Sequence, residues 1–178
     1  MRAELRAIDP EERSRRSRAA TERLLSLHEI AGARTLLLFR ALPTEIDTAG
    51  VLAYALSRGV AVFCPRIAEA SLSFIRVSDE TVWATGAFGV PEPVSGDALA
   101  ASDVPRAVVV APGLAFSERR ERLGRGAGHY DRALATPPLA DEAIAIGLGF
   151  DCQIVPELPV SPRDVSMDVV VTERRVIR

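Results

Sequence analysis

Residues 35–64 read TLLLFRALPTEIDTAGVLAYALSRGVAVFC, and this stretch determines the fold class. Its apolar runs at 35–39 and 60–64 are short and continuous, which predicts two buried strands. Between them, Thr48 is placed to cap a helix that ends at Gly59. The helix carries four apolar residues: Val51, Leu52, Ala53 and Leu56. The strand, helix, strand order is a βαβ unit, so the two strands should be parallel.

Further strands extend the same sheet. Buried-type apolar runs follow at three more places: 106–111, 143–150 and 168–172. The run at 71–77 partly alternates and predicts a half-exposed strand, whereas the strand at 60–64 is expected to stop at Pro65. This alternation predicts a three-layer α/β fold with a mostly parallel central sheet and helices on both faces. The whole chain, 1–178, should form a single domain.

The chain opens with a helix whose start is marked by local capping residues. Asp9 is the predicted N-cap, Pro10 the first helical residue, and Glu12 completes a capping box. The helix should run to about Leu27 and bury one face: Ala20, Leu24 and Leu27. Its arginines should lie mostly in water: Arg13, Arg15, Arg16 and Arg18.

Composition narrows the functional classes. The 178 residues are 48% hydrophobic and carry a formal charge of −2, which gives no overall attraction to nucleic acid or to an anionic membrane. All 22 basic residues are arginine, so a lysine Schiff base and a P-loop lysine are excluded. Two histidines and two cysteines argue against a zinc cluster, and a metal should instead be magnesium held by carboxylates. The N-terminus lacks the apolar core of a secretory signal, so a cytoplasmic location is expected.

Residues 122–132 read RLGRGAGHYDR and predict a nucleotide site. Glycines at alternate positions let backbone N–H groups form a concave nest, and the interleaved arginines suit a polyphosphate. A strand at 106–111 and a turn at 112–116 precede the segment, and a helix opening at 130–134 should face the same anion. The spacing matches neither the dinucleotide fingerprint nor the P-loop. The alternative interpretation is a glycine-rich surface turn.

Two other loops are candidate walls of this site. Residues 40–48 follow the first strand at its carboxyl end, where open α/β sheets place ligands. Residues 86–93 are rich in glycine and proline and predict an ordered loop. That loop is either a connector across the sheet or a wall that offers Phe88 to a flat ligand.

Residues 122–131 resemble the signature of the 5-formyltetrahydrofolate cyclo-ligases, also called 5,10-methenyltetrahydrofolate synthetases. Four more segments follow in the order that this family has: LPTEIDT at 42–48, FGVPEP at 88–93, IGLGFD at 146–151 with Gln153, and DVSMD at 164–168. The resemblance covers nearly the whole chain and implies a fold like that of the isomerase and CoA-transferase superfamily. It also implies the family's reaction, which uses ATP and Mg²⁺. In it the formyl oxygen of 5-formyltetrahydrofolate attacks the γ-phosphate, and N10 closes on the activated carbon with loss of phosphate.

The same resemblance implies roles for individual residues. Arg125 and Tyr130 are the catalytic pair, and Asp131 and Asp168 supply oxygen ligands to Mg²⁺. ATP and its phosphates contact the following residues: Arg122, Leu123, Gly124, Arg125, Gly126, Ala127, Gly128, His129, Tyr130, Arg2 and Arg6. The folate contacts an overlapping set: Glu45, Phe88, Arg125, Gly128, His129 and Tyr130. The implied partners are reduced folate and ATP, with the chain acting as a monomer away from membranes and nucleic acid.

Several of these residues also have a purely structural interpretation. Asp131 could be a favourable charge at a helix N-terminus, and Asp168 could simply begin a strand. Glu45 could be a solvated loop glutamate, and Tyr130 could pack in a first helical turn.

The sequence departs from the family pattern in a few places. Family members usually have about two more helical turns before a Pro-Glu-Glu-Arg start, whereas here Ala7-Ile8-Asp9-Pro10 follows Arg6 at once. His129 replaces a usual aromatic residue, Ala127 a usual glycine or lysine, and Arg163 a usual histidine. These differences bear on ATP affinity and substrate choice more than on the fold.

Other classes of function remain alternatives. A sugar-phosphate isomerase or CoA-transferase relative would share the fold, but the chain offers no paired carboxylate and lysine to move a proton beside a carbonyl. A nucleotide- or folate-binding module would bind these ligands without releasing phosphate. An RNA-associated protein using the arginine-rich first helix is disfavoured by the negative net charge and the sparse aromatic residues.

Overall fold

The computed structural model describes residues 1–68, 71–159 and 161–178. The α-helices in these ranges are α1 Arg2–Ala7, α2 Pro10–Leu25, α3 His28–Ala31, α4 Ala49–Ser57, α5 His129–Leu134 and α6 Leu139–Glu142. The strands are β1 Thr35–Leu38, β2 Ala61–Ala68, β3 Ser71–Val77, β4 Trp83–Thr85, β5 Pro91–Pro93, β6 Ala107–Ala111, β7 Ala115–Ser117, β8 Arg122–Leu123, β9 Ile144–Leu148, β10 Ile154–Val155, β11 Val169–Val171 and β12 Val176–Ile177. None of the helices in the described ranges has both the length and the apolar character that crossing a membrane requires.

A seven-stranded sheet in the order β12-β11-β9-β6-β1-β2-β3 forms the centre of the fold. Its five inner strands are parallel, and the edge strands β3 and β12 are antiparallel to their neighbours. Two small sheets, β10-β7-β8 and β4-β5, lie outside it. The prediction of a mostly parallel α/β sheet is therefore confirmed, including the parallel pairing of β1 with β2.

Alternate residues of each strand divide the core between the two faces of the sheet. Leu36 and Leu38 of β1 belong to the core that includes Leu24 of α2 and Val51 of α4. Leu37, on the opposite face, belongs to the core that contains residues of α5 and α6. Helices cover both faces, which confirms the three-layer prediction.

The start of α2 is only partly as predicted. The carboxylate of Asp9 accepts hydrogen bonds from the N–H groups of Glu11 and Glu12, at 2.9 and 3.3 Å, so the N-cap is confirmed. The prediction that Glu12 completes a capping box is wrong, because its carboxylate pairs with Arg15 and Arg16 instead. The helix ends at Leu25 rather than near Leu27. The predicted buried face is confirmed.

Two further local predictions are corrected by tertiary contacts. Thr48 precedes α4, but its hydroxyl donates a 2.8 Å hydrogen bond to the carbonyl of Phe39 and caps no helix N–H. Strand β2 continues through Pro65 to Ala68, because beyond Phe63 it pairs with β3 and no longer with β1. The proline therefore removes no hydrogen bond to β1.

Candidate functional site

A cavity of about 170 Å³ opens at the carboxyl ends of two adjacent parallel strands. Phe39 and Arg40, which directly follow β1, line one side of it, and Pro112 and Gly113, which directly follow β6, line another. This is the edge of the sheet where the sequence predicts ligand binding. Segments 40–48, 86–93 and 122–132 all contribute lining residues, and the prediction of a loop over 86–93 is corrected in part because 91–93 form strand β5.

The glycine-rich segment connects β8 to α5 along the cavity. Gly126 and Gly128 have φ angles of 105° and 65°, which residues with a Cβ rarely adopt, so these two glycines are required by the backbone. Gly124, Ala127 and Gly128 line the cavity, whereas Leu123 and Gly126 are not among its lining residues.

Arg122 and Asp131 form a buried ion pair across this segment. Nη2 of Arg122 lies 2.8 Å from Oδ1 of Asp131, and Nη1 donates to the carbonyl of Pro112 at 3.3 Å. The side chains of Arg122 and Asp131 are 3% and 14% exposed. Both residues line the cavity, so the pair presents a buried charge network to any ligand there.

Arg125 is the more accessible cation of the loop. Its Nη2 lies 2.9 Å from Oε1 of Glu45, and its side chain is 43% exposed. The other oxygen of Glu45 accepts the N–H of Leu42 at 2.9 Å. Glu45 thus holds one donor of the guanidinium and leaves the others for a ligand.

Tyr130 contributes a hydroxyl that has no hydrogen-bond partner within the described ranges, although it is buried. Burial raises the pKa of this phenol above its usual range, and the nearby guanidinium of Arg122 only partly opposes that rise. The hydroxyl therefore stays protonated and can donate a hydrogen bond to a ligand in the cavity.

Phe88 and His129 form an aromatic wall. Their ring centroids are 6.5 Å apart, and Phe88 is 70% exposed. The backbone of Phe88 has a φ of 59°, a conformation that costs energy for a residue with a Cβ. The fold keeps the Phe88 ring beside the cavity although its backbone is strained and its side chain is exposed to water.

Two lining residues, Arg40 and Glu92, are absent from the sequence-based assignments. Nε of Arg40 and Oε1 of Glu92 are buried and find no hydrogen-bond partner in the part of the chain that the structure describes. The guanidinium of Arg40 lies 4.9 Å from the ring centroid of Trp83. Both residues lie in segments that the sequence predicts as walls of the site, 40–48 and 86–93. Their neighbours in the sequence do not indicate that these two polar atoms are buried without a hydrogen-bond partner among the described residues.

Besides Leu123 and Gly126, three residues predicted to bind ligands are not among those that line the cavity: Arg2, Arg6 and Asp168. Arg2 and Arg6 are exposed on α1. Asp168 is exposed next to β11, and its Oδ2 accepts the N–H of Ala145 at 2.8 Å. The structure thus brings together the glycine loop, Glu45, Phe88, Tyr130 and Asp131, but it does not place Asp168 with them.

Comparison with known proteins identifies the family. The sequence profile described as the 5-formyltetrahydrofolate cyclo-ligase family matches residues 1–173. A probable 5-formyltetrahydrofolate cyclo-ligase of Caenorhabditis elegans is 29% identical over 99% of this chain and 91% of its own length. The 5-formyltetrahydrofolate cyclo-ligase of Escherichia coli K12 is 28% identical over 99% of this chain and 98% of its own length.

Two solved structures have a similar fold. The 5,10-methenyltetrahydrofolate synthetase of Aquifex aeolicus superposes with a TM-score of 0.81 at 30% identity, over 96% of this chain and 84% of the other. A 5,10-methenyltetrahydrofolate synthetase of Mycoplasma pneumoniae, 17% identical, shares the fold with a TM-score of 0.76, over 96% of this chain and 93% of the other. The resemblance inferred from the sequence is confirmed, and the chain belongs to the 5-formyltetrahydrofolate cyclo-ligase family, whose members are enzymes that form a carbon–nitrogen bond.

Proposed function

We propose that this enzyme uses ATP and Mg²⁺ to convert 5-formyltetrahydrofolate to 5,10-methenyltetrahydrofolate, with release of ADP and phosphate. The observation that carries the proposal is the composition of one cavity. Arg125 and the glycine loop border it on one side, and the unpartnered hydroxyl of Tyr130 lies in its wall. Phosphoryl transfer needs fixed cations and N–H donors around the phosphate oxygens, and this loop supplies both.

The reaction consists of two bond exchanges. The formyl oxygen forms a bond to the γ-phosphorus of ATP, and the bond from that phosphorus to the bridging oxygen of ADP breaks. N10 then bonds to the formyl carbon, the carbon–oxygen bond breaks, and phosphate leaves with the former formyl oxygen. The N10 proton is released to water or to a basic group.

In this reaction, some residues of the cavity would supply charge and others would orient the reacting groups. Arg125 keeps free donors for the phosphate oxygens while Glu45 fixes its position. Arg122 is buried and paired, so it contributes positive charge behind the loop rather than a mobile contact. The Tyr130 hydroxyl is a donor for the formyl oxygen or for the phosphate that replaces it.

Magnesium fits this site through Asp131. Among the described residues, Arg122 and the Val165 N–H both donate to Oδ1 of its carboxylate, which leaves Oδ2 for a cation. The described ranges contain no group of three or more His, Cys, Asp or Glu side chains that could hold a metal. Mg²⁺ commonly takes its remaining ligands from substrate phosphates and water. Asp131 would hold the ion beside ATP, where it neutralises charge on the phosphate oxygens.

Continuous absorbance monitoring of methenyltetrahydrofolate formation tests the proposal. Product should form from 5-formyltetrahydrofolate only when ATP and Mg²⁺ are both present. Folded protein that binds ATP or folate without forming product would instead be a binding module. Protein that binds neither ATP nor folate would favour the isomerase-like alternative.

A further inference from the structure

Glu92 is a buried carboxylate in the cavity with an unsatisfied oxygen. The residue lies on β5 and is only 8% exposed, and its Oε1 has no hydrogen-bond partner among the described residues. Glu45, the other glutamate that lines the cavity, is satisfied on both oxygens by Arg125 and by the Leu42 N–H. Because burying a carboxylate oxygen without a donor is costly, we expect a ligand to supply the donor to Oε1 of Glu92.

The β4–β5 hairpin is shaped to hold this carboxylate. A Cβ added at Gly86 would lie 2.0 Å from Cδ of Glu92 and 2.4 Å from its Oε1, so the glycine leaves the space that the carboxylate occupies. The Gly86 N–H donates to the carbonyl of Val90 at 2.8 Å, which closes the loop between the two strands. The position of the carboxylate therefore follows from the backbone.

The rest of the cavity indicates the chemical class of the ligand. Many of its lining residues are apolar, among them Phe39, Pro65, Ile67, Leu72, Val90 and Leu114. Such a lining suits a flat heterocycle, and a carboxylate pairs best with two parallel N–H donors on one edge of a ring. The pterin ring of a reduced folate has such an edge, formed by its 2-amino group and N3–H.

We propose that Glu92 recognises the substrate by accepting hydrogen bonds from the 2-amino group and N3–H of the reduced pterin ring. The inference rests on the proposed function, since it assigns the orientation of that same substrate. Glu92 contacts the folate and not the nucleotide, so ATP affinity is independent of it.

Isothermal titration calorimetry tests this assignment with two folates and ATP. The folates are 5-formyltetrahydrofolate and its analogue without the 2-amino group. Wild-type protein should bind the analogue about tenfold to a hundredfold more weakly than the parent compound. Glu92→Gln should bind the parent compound more weakly by a similar factor, should nearly lose the discrimination between the two folates, and should keep the ATP affinity of the wild type. Gly86→Ala should act in the same direction by displacing the carboxylate, and exposed Glu80→Gln is the matched control.

The possible failures can be told apart. If wild-type protein binds the parent folate but does not discriminate against the analogue, the assignment is overturned without reference to any variant. It is also overturned if Glu92→Gln discriminates like the wild type or loses ATP affinity. If wild-type protein binds no reduced folate, the proposed function fails and this inference fails with it. Folding is checked by the urea midpoint, which should not fall in Glu92→Gln because Oε1 has no hydrogen bond from the described residues to lose.

Discussion

Nη2 of Arg122 lies 2.8 Å from Oδ1 of Asp131, and this ion pair ties β8 to the first turn of α5. The two residues are nine positions apart, and the glycine loop spans the interval between them. The pair therefore fixes both ends of the loop that we assign to the phosphates. Its loss should affect the fold as well as the chemistry.

Asp131→Ala should lower the free energy of unfolding by about 3 kcal/mol, because Arg122 stays charged and buried without its partner. Urea denaturation followed by circular dichroism measures this change. Asp141→Ala, at an exposed position of α6, is the control and should stay within about 0.5 kcal/mol of the wild type. A loss in Asp131→Ala no larger than that of the control would show that the pair does not stabilise the loop.

Arg125→Ala should lower the activity of the enzyme while leaving its stability almost unchanged. Its side chain is 43% exposed, so the pair with Glu45 should contribute less than about 1 kcal/mol to stability. Loss of its contact with the phosphates should reduce kcat/KM about tenfold to a hundredfold in the ring-closure assay. Arg58→Ala, exposed at the end of α4, should match the wild type in both measurements. Unchanged kcat/KM in Arg125→Ala would remove this residue from the site.

Tyr130→Phe should reduce kcat about tenfold while leaving the protein at least as stable. The reason is that its buried hydroxyl finds no hydrogen-bond partner among the described residues, so its removal costs nothing until substrate is bound. Steady-state kinetics and thermal unfolding give the two values. The other tyrosine, Tyr54, is exposed, and Tyr54→Phe should change neither. A Tyr130→Phe variant with full kcat would assign the residue to packing alone.

Two glycines allow a matched test of the loop backbone. Gly126 and Gly59 have φ angles of 105° and 71°, and a Cβ at either position would meet no atom of the described residues within 4 Å. Alanine should therefore cost stability at both positions through backbone strain alone, about 1 kcal/mol at Gly59 and more at Gly126, whose φ lies outside the left-handed helical region. Only Gly126→Ala should also raise the KM for ATP. Equal ATP kinetics in the two variants would argue against the loop as the phosphate site.

The ion pair between Glu29 and Arg178 should make stability depend on pH. The hydrogen bond from Arg178 holds the pKa of the Glu29 carboxyl below its ordinary value of 4.5, although partial desolvation opposes this. Because the folded-state pKa is lowered, the stabilisation is complete above pH 4.5 and is lost as the pH falls through the folded value. Glu29→Gln should be less stable by about 1 kcal/mol at neutral pH and should approach the wild type in acid. A difference that does not vary with pH would contradict this.

Sequence patterns predict the sheet better than they predict the site. Apolar runs such as 35–39 identify buried strands because their signal is local. The actual role of Thr48 depends on the carbonyl of Phe39, nine residues earlier, and that of Pro65 depends on where the pairing of β2 with β1 ends, and neither is visible in the local pattern. For the same reason Glu92 could be placed in a candidate wall, but its missing partners become visible only when the cavity is assembled.

The fate of the formyl oxygen tests the central claim most directly. The substrate is labelled with a heavy oxygen isotope in the formyl group, the reaction is run with ATP and Mg²⁺, and the released phosphate is analysed by mass spectrometry. We expect the label in the phosphate, because the formyl oxygen attacks the γ-phosphorus and leaves with it. Ring closure that yields unlabelled phosphate, with the label in water, would contradict the account.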